Sequence, residues 1–257
     1  TAIAPNPVCT AQSDMEIRIE GSGFLRIGGV MPELFIGGLE IFDLRMDESS
    51  CEPVPGVSAA VSCTRLFAVI AQGAVDENGS PYAVVLVNPE PAGCESAAFE
   101  LEVAPPPDVT GITPSTICTG GGIFTVTGTN LQNISAYLED PDGGIVNAGS
   151  VTVNADGTEA QIAFSSGLRP VTYDLHVTGA GGCADSLAAA VTVNLGPVIY
   201  YFDPPAVYNG VAIRATLYGS GLVSAPAAVT VAPAGGGTET ALADVVWDPF
   251  NPNRIQA

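Results

Sequence analysis

The sequence predicts an all-β protein composed of tandem antiparallel β-sandwiches. Three observations lead to this fold class: short segments that alternate apolar and polar residues, frequent Gly and Pro between those segments, and one phrase that recurs at domain-sized spacing. The composition agrees, since the 257 residues include 30 Gly and 21 Pro and are 47% hydrophobic. Such a chain has enough apolar side chains for several cores and enough turn residues to separate many short strands.

The recurring phrase places a proline before an alternating strand that ends at a glycine. Its copies are "AIAPNPVCTAQSDMEIRIEGSGFL", "GITPSTICTGGGIFTVTGTNL" and "YFDPPAVYNGVAIRATLYGSGL". The corresponding prolines, Pro5, Pro114 and Pro204, are 109 and then 90 residues apart. This spacing is too long for a solenoid repeat and fits whole domains. We therefore expect each copy to begin a new sandwich.

The alternation within the phrase indicates strands with one buried and one solvated face. In the second copy, Phe124 and Val126 point to one face, whereas Ile123 and Thr125 point to the other. The first copy alternates in the same way over residues 15–20. Each strand closes at a glycine followed by a polar pair, such as Thr129-Asn130. We expect these pairs to supply positive-φ positions for a tight turn into the next strand.

The ends of the first two repeats also match and predict hairpins. "YAVVLVNPEPAGCESAAFELEVAPPP" parallels "YDLHVTGAGGCADSLAAAVTVNLGP", with strands expected at Tyr82–Val87 and Phe99–Val103 in the first copy. Proline-rich linkers follow each hairpin, because proline lacks the N–H that strand pairing needs. The predicted domains are 1–104, with an insertion at about 26–63, then 105–196, and an incomplete domain at 197–257.

The phrase "I-x-P" followed by "V-T-x-G-x-N-L" resembles the IPT/TIG domains, which are immunoglobulin-like sandwiches. The resemblance is strongest over residues 109–195. It implies tandem immunoglobulin-like domains of a bacterial surface or secreted protein, and it brings no catalytic residues. Because family function varies with the host protein, the fold alone does not define the role of this chain.

An even set of six cysteines, without a CxxC motif, favours disulfides and an oxidising compartment. Six cysteines allow 15 pairings, and repeat symmetry selects one of them. Cys9 and Cys118 follow the repeated prolines, while Cys94 and Cys183 lie at the hairpin turns. The expected bonds are therefore Cys9–Cys94, Cys118–Cys183 and, within the insertion, Cys51–Cys63. In the third repeat Tyr208 replaces the cysteine.

The charge excludes several classes of partner. Asp and Glu number 27 against 7 basic residues, all of them Arg, so the net charge is −20. We expect no nucleic-acid binding, which requires clustered basic groups. We also expect no membrane insertion, because no apolar run approaches the ~18 residues of a membrane span. The predicted localisation is extracellular or at the cell surface.

The sequence predicts no enzyme, no catalytic residue, and no cofactor or metal site. His176 shares a strand face with Asp174, but no GxSxG motif supplies a nucleophile. Acidic turns such as "LEDPDGG" are interpreted as solvated, with Ca²⁺ binding kept as an alternative. Trp247 is expected to fill a core rather than to stack on a sugar.

The third repeat lacks a counterpart of the final hairpin of the second repeat. We expect either a stretch of a longer array or completion by strand donation from another copy. The predicted function is a stiff spacer or filament subunit of an extracellular repeat protein, in contact with copies of itself or adjacent repeats. The alternative is an adhesin that binds a glycan or surface protein through loops or through the insertion at about 26–63, with the segment "MPELFIGGL" as an exposed part of that contact surface.

Overall fold

The computed structural model describes residues 2–206, 212–222, 229–232, 235, 237–247 and 254–256. In this part of the chain the regular structure is strands and two 3-10 helices, Glu48–Ser50 and Glu77–Gly79. The predicted all-β class is confirmed. The strands are β1 (Ala2–Ala4), β2 (Met15–Ile27), β3 (Glu33–Ile36), β4 (Leu39–Ile41), β5 (Leu44–Met46), β6 (Cys51–Pro53), β7 (Ala60–Ile70), β8 (Tyr82–Val87), β9 (Phe99–Leu101), β10 (Asp108–Thr113), β11 (Thr116–Cys118), β12 (Gly122–Thr129), β13 (Ser135–Glu139), β14 (Ile145–Asn147), β15 (Ser150–Val153), β16 (Glu159–Phe164), β17 (Thr172–Thr178), β18 (Ala184–Asn194), β19 (Val198–Asp203), β20 (Thr216–Ser220), β21 (Thr230–Val231), β22 (Thr240–Ala241), β23 (Val246–Trp247) and β24 (Arg254–Gln256).

The first repeat forms two antiparallel sheets. One has the strand order β1-β2-β7-β5, with β6 also paired to β7, and the other has the order β4-β3-β8-β9. Val8 extends the second sheet through a parallel bridge to Val103. The core between the sheets includes Ile17, Leu34 and Leu66, each fully buried. This is a sandwich in which each sheet buries one face against the other.

The second repeat has the same architecture. Its sheets have the orders β10-β12-β16-β15 and β11-β18-β17-β13-β14. This order, with the last hairpin in the middle of the second sheet, is that of an immunoglobulin-like sandwich. The predicted alternation is confirmed, because Phe124 and Val126 are fully buried while Ile123 is 65% exposed.

The third repeat contributes the sheet β19-β20-β24-β23 and the separate hairpin β21-β22. Leu217, Leu222 and Ile255 form a small buried cluster, and Trp247 packs against it. The Trp247 indole N–H also donates a hydrogen bond to the Leu222 carbonyl oxygen at 2.8 Å. The interpretation of Trp247 as a core residue is thereby confirmed. Tyr208 lies outside the described residues.

Packing divides the chain into two compact units. The first comprises residues 1–115, 122–165 and 172–192, and so holds most of the first two sandwiches. The second comprises residues 116–121, 166–171 and 193–257. The division at residues 104 and 196 that the repeats suggest stays a prediction.

The glycine that ends the repeated phrase permits a close strand approach, and the pair that follows it supplies the expected positive φ. A Cβ on Gly128 would lie 2.0 Å from the Asp108 carbonyl oxygen, and one on Gly219 would lie 2.2 Å from that of Val198. Only glycine therefore permits the preceding strand to approach this closely. The positive φ occurs two residues later, as at Asn130 with φ 56°. In the first repeat no turn forms here, since β2 continues to Ile27 after a bulge.

The segment "MPELFIGGL", expected to be an exposed contact surface, is largely a core strand. Leu34 and Ile36 are buried in β3, which pairs with β8 along Glu33–Ile36. The expectation was wrong because a short apolar run next to Gly-Gly has the same sequence pattern in a buried strand as in an exposed loop. The exposed apolar side chains of this region include Leu39, at the end of the segment, and Phe42, just after β4, at 82% exposure.

Candidate functional site

The six cysteines all lie within the described residues, and they form two disulfides. Cys51 bonds to Cys63, as predicted, from directly opposite positions on the paired strands β6 and β7. The other bond joins Cys9 to Cys183, which are 174 residues apart. Cys94 and Cys118 are free and exposed. The predicted bonds Cys9–Cys94 and Cys118–Cys183 are therefore wrong.

The first of these pairings fails because Cys9 and Cys94 lie at opposite ends of one hairpin. Val8 is bridged to Val103, beyond the end of β9, next to the start of β8. Cys94 lies in the turn after the other end of β8, where its carbonyl oxygen accepts a hydrogen bond from the Asn88 N–H. Six strand residues separate the two ends, a length of about 20 Å. A disulfide requires Cα atoms within about 7 Å.

The second pairing fails for the same reason along β18. Cys183 immediately precedes the first residue of this eleven-residue strand. Thr119, next to Cys118, donates its N–H to the carbonyl oxygen of Asn194, the last residue of the strand. The strand therefore separates the two sulfur atoms by roughly 30 Å. Repeat symmetry correctly identified equivalent cysteines, but the two cysteines of one sandwich are not bonding partners.

The Cys9–Cys183 bond lies in a buried junction between the first two sandwiches. Cys9 is 1% exposed and Cys183 is 3% exposed. The Cys9 N–H donates a hydrogen bond to the Gly181 carbonyl oxygen at 2.8 Å. A Cβ on Gly181 would lie 2.8 Å from both the Cβ and the backbone nitrogen of Cys9. The turn before Cys183 therefore needs glycine where the Cys9 backbone crosses it.

Gln12 binds the same hairpin through two hydrogen bonds to Ala184, the residue after Cys183. Its Nε2 donates to the Ala184 carbonyl oxygen at 2.6 Å, and its Oε1 accepts from the Ala184 N–H at 2.8 Å. This reciprocal pair satisfies both backbone groups of Ala184, as a neighbouring strand would. We refer to Cys9, Gln12, Gly181, Cys183 and Ala184 together as the junction.

The linker between the sandwiches is fixed by hydrogen bonds of its own. The Ala104 N–H donates to the Val8 carbonyl oxygen at 2.8 Å. The Pro106 carbonyl oxygen accepts from the Asn130 side-chain amide at 3.0 Å. After the linker, the Val109 N–H donates to an Asp185 carboxylate oxygen at 2.6 Å. These contacts anchor the linker to both sandwiches.

Neither Gln12 nor Gly181 was predicted from the sequence to contact a neighbouring sandwich. Gln12 stands in "TAQSD", where the other repeats have glycine-rich or unrelated residues, so repetition gave no signal for it. The glycines of "GAGGC" were visible but were interpreted only as hairpin-turn residues. Both residues act on a neighbouring sandwich, and a pattern within one sandwich carries no information about such a neighbour.

The acidic turns use their leading carboxylates to cap local structure. Asp47 accepts hydrogen bonds from the N–H and the hydroxyl of Ser49, and Asp76 accepts from the N–H groups of Asn78 and Gly79. In "LEDPDGG", buried Asp140 accepts from the N–H groups of Asp142 and Gly144. Among the described residues, no three His, Cys, Asp or Glu side chains are grouped to hold a metal ion.

Asp47 and Glu48 belong to an ionic cluster on the first sandwich. The hydrogen bond from Ser49, together with Arg65 at 2.6 Å, lowers the pKa of Asp47 below its ordinary value. The hydrogen-bonded pair with Arg26 lowers the pKa of Glu48. Both shifts favour the charged carboxylates in the folded state.

His176 lies on the outer face of the second sandwich, as predicted from its strand. Its Nε2 is 3.1 Å from Glu139 Oε2, and its ring stacks on Tyr137 with centroids 4.7 Å apart. The alternate residues Tyr173, Leu175 and Val177 are buried. Asp174, which shares this strand face, accepts a hydrogen bond from the Ala189 N–H at 2.6 Å. These contacts give His176 an orientation but no adjacent nucleophile.

An open groove of about 660 Å³ lies on the first sandwich. It is formed by the β2 bulge and by segments around β6 and β7, including Ser22, Ser50, Glu52 and Arg65. Its polar side chains present hydroxyl, carboxylate and guanidinium groups to solvent. Much of its lining, including Ser50 and Glu52, belongs to the insertion at about 26–63, which the sequence suggested as a contact surface.

The strand topology and the disulfides define a tandem immunoglobulin-like β-sandwich protein. No protein-family model matches the chain, and no curated protein matches it. Solved structures similar to it include the full extracellular region of plexin A4, at 14% identity and TM-score 0.42 over 100% of this chain and 20% of that one. A titin fragment of three immunoglobulin domains gives 14% identity and TM-score 0.34, covering 99% of this chain and 87% of the fragment.

A third similar structure is the Bacteroides ovatus protein SGBP-B, of a mixed-linkage glucan utilization locus, in complex with a heptasaccharide. Its identity is 18% and its TM-score 0.29, covering 77% of this chain and 46% of that one. This chain thus spans about a fifth of the plexin chain and about half of SGBP-B. All three TM-scores are below 0.5, and the assignment of the fold therefore depends on the strand order described above.

The two disulfides fit a secreted or extracellular protein, because disulfides persist in oxidising compartments. Among the described residues, the structure contains no helix long and apolar enough to cross a membrane.

Proposed function

We propose that this chain is a structural segment of an extracellular repeat protein, in which disulfide-linked immunoglobulin-like domains act as a stiff spacer or as part of a surface filament. The proposal includes its kinship with the IPT/TIG arrays of bacterial surface proteins, and it assigns no enzymatic activity. The observation that carries it is the junction. A flexible tether needs only a linker, whereas here a buried disulfide and flanking hydrogen bonds fix one sandwich to the next.

The geometry of the junction favours stiffness over simple stability. The disulfide lies beside the linker, so the chain crosses between the sandwiches at one point and the sulfur bridge joins them at a second. Two separate attachments remove the bending freedom that a single linker leaves. Gln12 supplies a third attachment. The net charge of −20 suits an exposed surface that must stay dispersed, since like charges oppose non-specific association.

Single-molecule fluorescence energy transfer within the first unit tests this function. Dyes are attached through non-natural amino acids at the exposed turn positions Asn78 and Asp156, one in each sandwich. We expect one narrow distance distribution in the wild-type chain and a broad one in the double variant C9S/C183S. The matched control C94S/C118S, which removes the exposed thiols, should stay narrow. Equal widths in the wild type and C9S/C183S would contradict a stiff spacer.

A second candidate function, binding of a glycan or surface protein, is favoured by the groove on the first sandwich. Its volume of about 660 Å³ is within the range of small-ligand sites, and its polar groups suit hydroxylated ligands. Glycan-array binding of the wild type, lost in Glu52→Ala and kept in the control Glu95→Ala, would support it. An array without a signal for the wild-type chain would count against it.

A further inference from the structure

Cys94 and Cys118 occupy the same places in their sandwiches as the two bonded cysteines of the junction. Cys118 follows the repeated proline of the second sandwich, as Cys9 does in the first. Cys94 ends the last hairpin turn of the first sandwich, as Cys183 does in the second. Each hairpin cysteine also follows a positive-φ glycine, Gly93 or Gly182.

The Cys9–Cys183 bond shows which two kinds of cysteine position form a disulfide. It joins the cysteine after the proline of one sandwich to the hairpin cysteine of the following sandwich. The two free thiols are one of each class, and both are exposed. Cys94 and Cys118 are therefore the same combination of positions that the observed bond joins. A Cys94–Cys94 or Cys118–Cys118 bond would instead join two equivalent positions.

Each free thiol lies at the end of its own sandwich opposite the cysteine that forms the junction disulfide. Cys94 lies at the end of the first sandwich opposite the junction, because β8 separates its turn from Val103. Cys118 lies beside Asn194, at the end of β18 opposite Cys183. Both thiols are free and exposed, and each is therefore accessible to another molecule.

We propose that Cys118 of one molecule forms a disulfide with Cys94 of a second copy of this chain, so that the two kinds of cysteine position that bond at the junction also bond between molecules. This inference rests on the proposed function as an array segment and names its covalent partner. Because the two ends differ, the contact is head to tail and extends an open chain rather than closing a dimer.

The bond requires an oxidant, for which a small-molecule or protein disulfide serves. One thiolate attacks the oxidant, giving a mixed disulfide and releasing one thiol; the second cysteine thiolate then attacks the mixed disulfide and releases the other thiol. The Sγ atoms of Cys94 and Cys118 lose two electrons and two protons in total. The oxidant disulfide gains them and becomes two thiols.

The test mixes full-length C118S, which keeps the Cys94 thiol, with C94S, which keeps the Cys118 thiol, in a buffer of oxidised and reduced glutathione. Random pairing makes half of all dimers mixed. In peptides from the dimer band of a non-reducing gel, we expect the Cys94–Cys118 disulfide to exceed each of the Cys94–Cys94 and Cys118–Cys118 disulfides at least ninefold by mass spectrometry. The wild-type chain should form a ladder of oligomers.

The control for accessibility places a cysteine in an unrelated exposed turn. C118S is mixed with C94S/C118S carrying Ala155→Cys, and this pair should give the random ratio. A random ratio for the C118S and C94S mixture, or thiols that stay free and alkylatable in it, would overturn the inference. Intact Cys9–Cys183 peptides verify folding in every variant. Such a failure would leave the fluorescence test of stiffness, which needs no second molecule, unaffected.

Discussion

The hairpin turns that end at Cys183 and at Cys94 occupy the same place in successive sandwiches, yet only the first is covered. The Cys183 turn is packed under Cys9 and Gln12 of the preceding sandwich, whereas Cys94 is exposed. Gly181 allows the Cys9 backbone to cross the covered turn, and the corresponding position in the other turn is Ala92. The comparison teaches that a repeated position acquires its role from the neighbour that it meets.

Removing the junction disulfide should have the largest effect on stability and tests directly whether the covered turn differs from the exposed one. The double variant C9S/C183S opens a loop of 174 residues, for which the chain-entropy model gives about 5 kcal/mol. We expect the free energy of unfolding to fall by about 2–5 kcal/mol in urea titrations. The paired control C94S/C118S should change it by less than about 0.5 kcal/mol, since exposed positions tolerate substitution. Equal losses in the two variants would mean that the covered and exposed turns do not differ energetically.

An alanine at position 181 tests whether the covered turn requires glycine where the Cys9 backbone crosses it. Gly181→Ala places a Cβ 2.8 Å from atoms of Cys9 and Val8, so the backbone must shift. The expected loss is about 1–3 kcal/mol in the free energy of unfolding, the range for overpacked sites. Gly120→Ala is the control, because its Cβ would meet nothing within 4 Å. A melting temperature for Gly181→Ala equal to that of the control would contradict the tight crossing.

Gln12→Ala separates the contribution of the hydrogen bonds from that of the disulfide. It removes both bonds to Ala184 while the disulfide stays intact. Both backbone groups of Ala184 lose a partner, which costs about 1–2 kcal/mol in stability. Hydrogen exchange should increase at the Ala184 amide and stay unchanged in the Cys94 turn. The control Gln161→Ala, on the exposed side of β16, should leave the exchange at Ala184 as in the wild type. Unchanged protection at Ala184 in Gln12→Ala would show that the disulfide alone holds the hairpin.

Acid should lower the stability of the first sandwich through Asp47 and Glu48, which lie outside the junction. We expect this effect to be the smallest of the four. The pKa values of Asp47 and Glu48 are lowered in the folded state, so their contribution is present above their ordinary pKa values near 4. It is lost as the pH falls through the lower folded values. We expect the melting temperature to drop below about pH 4, and to drop less in Asp47→Asn than in the control Asp156→Asn. An identical drop in both variants would exclude Asp47 as a contributor.

Local patterns predicted the strands well, because alternation reports directly which side chains are buried. Tyr82–Val87 was predicted with the bounds that the structure has, and Phe124 and Val126 are buried as expected. Cys51–Cys63 was also predictable, since its short separation leaves few alternative partners nearby. The prediction failed at Leu34 and Ile36, where an apolar run did not reveal which face it would bury.

By itself, the sequence determined the repeat frame, the strand periodicity and the sandwich class, because these depend on residues close together in the chain. Only the tertiary structure decided the partner of Cys9. The choice between Cys94 and Cys183 depends on which end of a hairpin faces the linker, and that is set by the length of β8 and by the docking of the next sandwich. Disulfide bonds form between sulfur atoms that are close in space, and the spacing of cysteines along a repeat does not encode that distance.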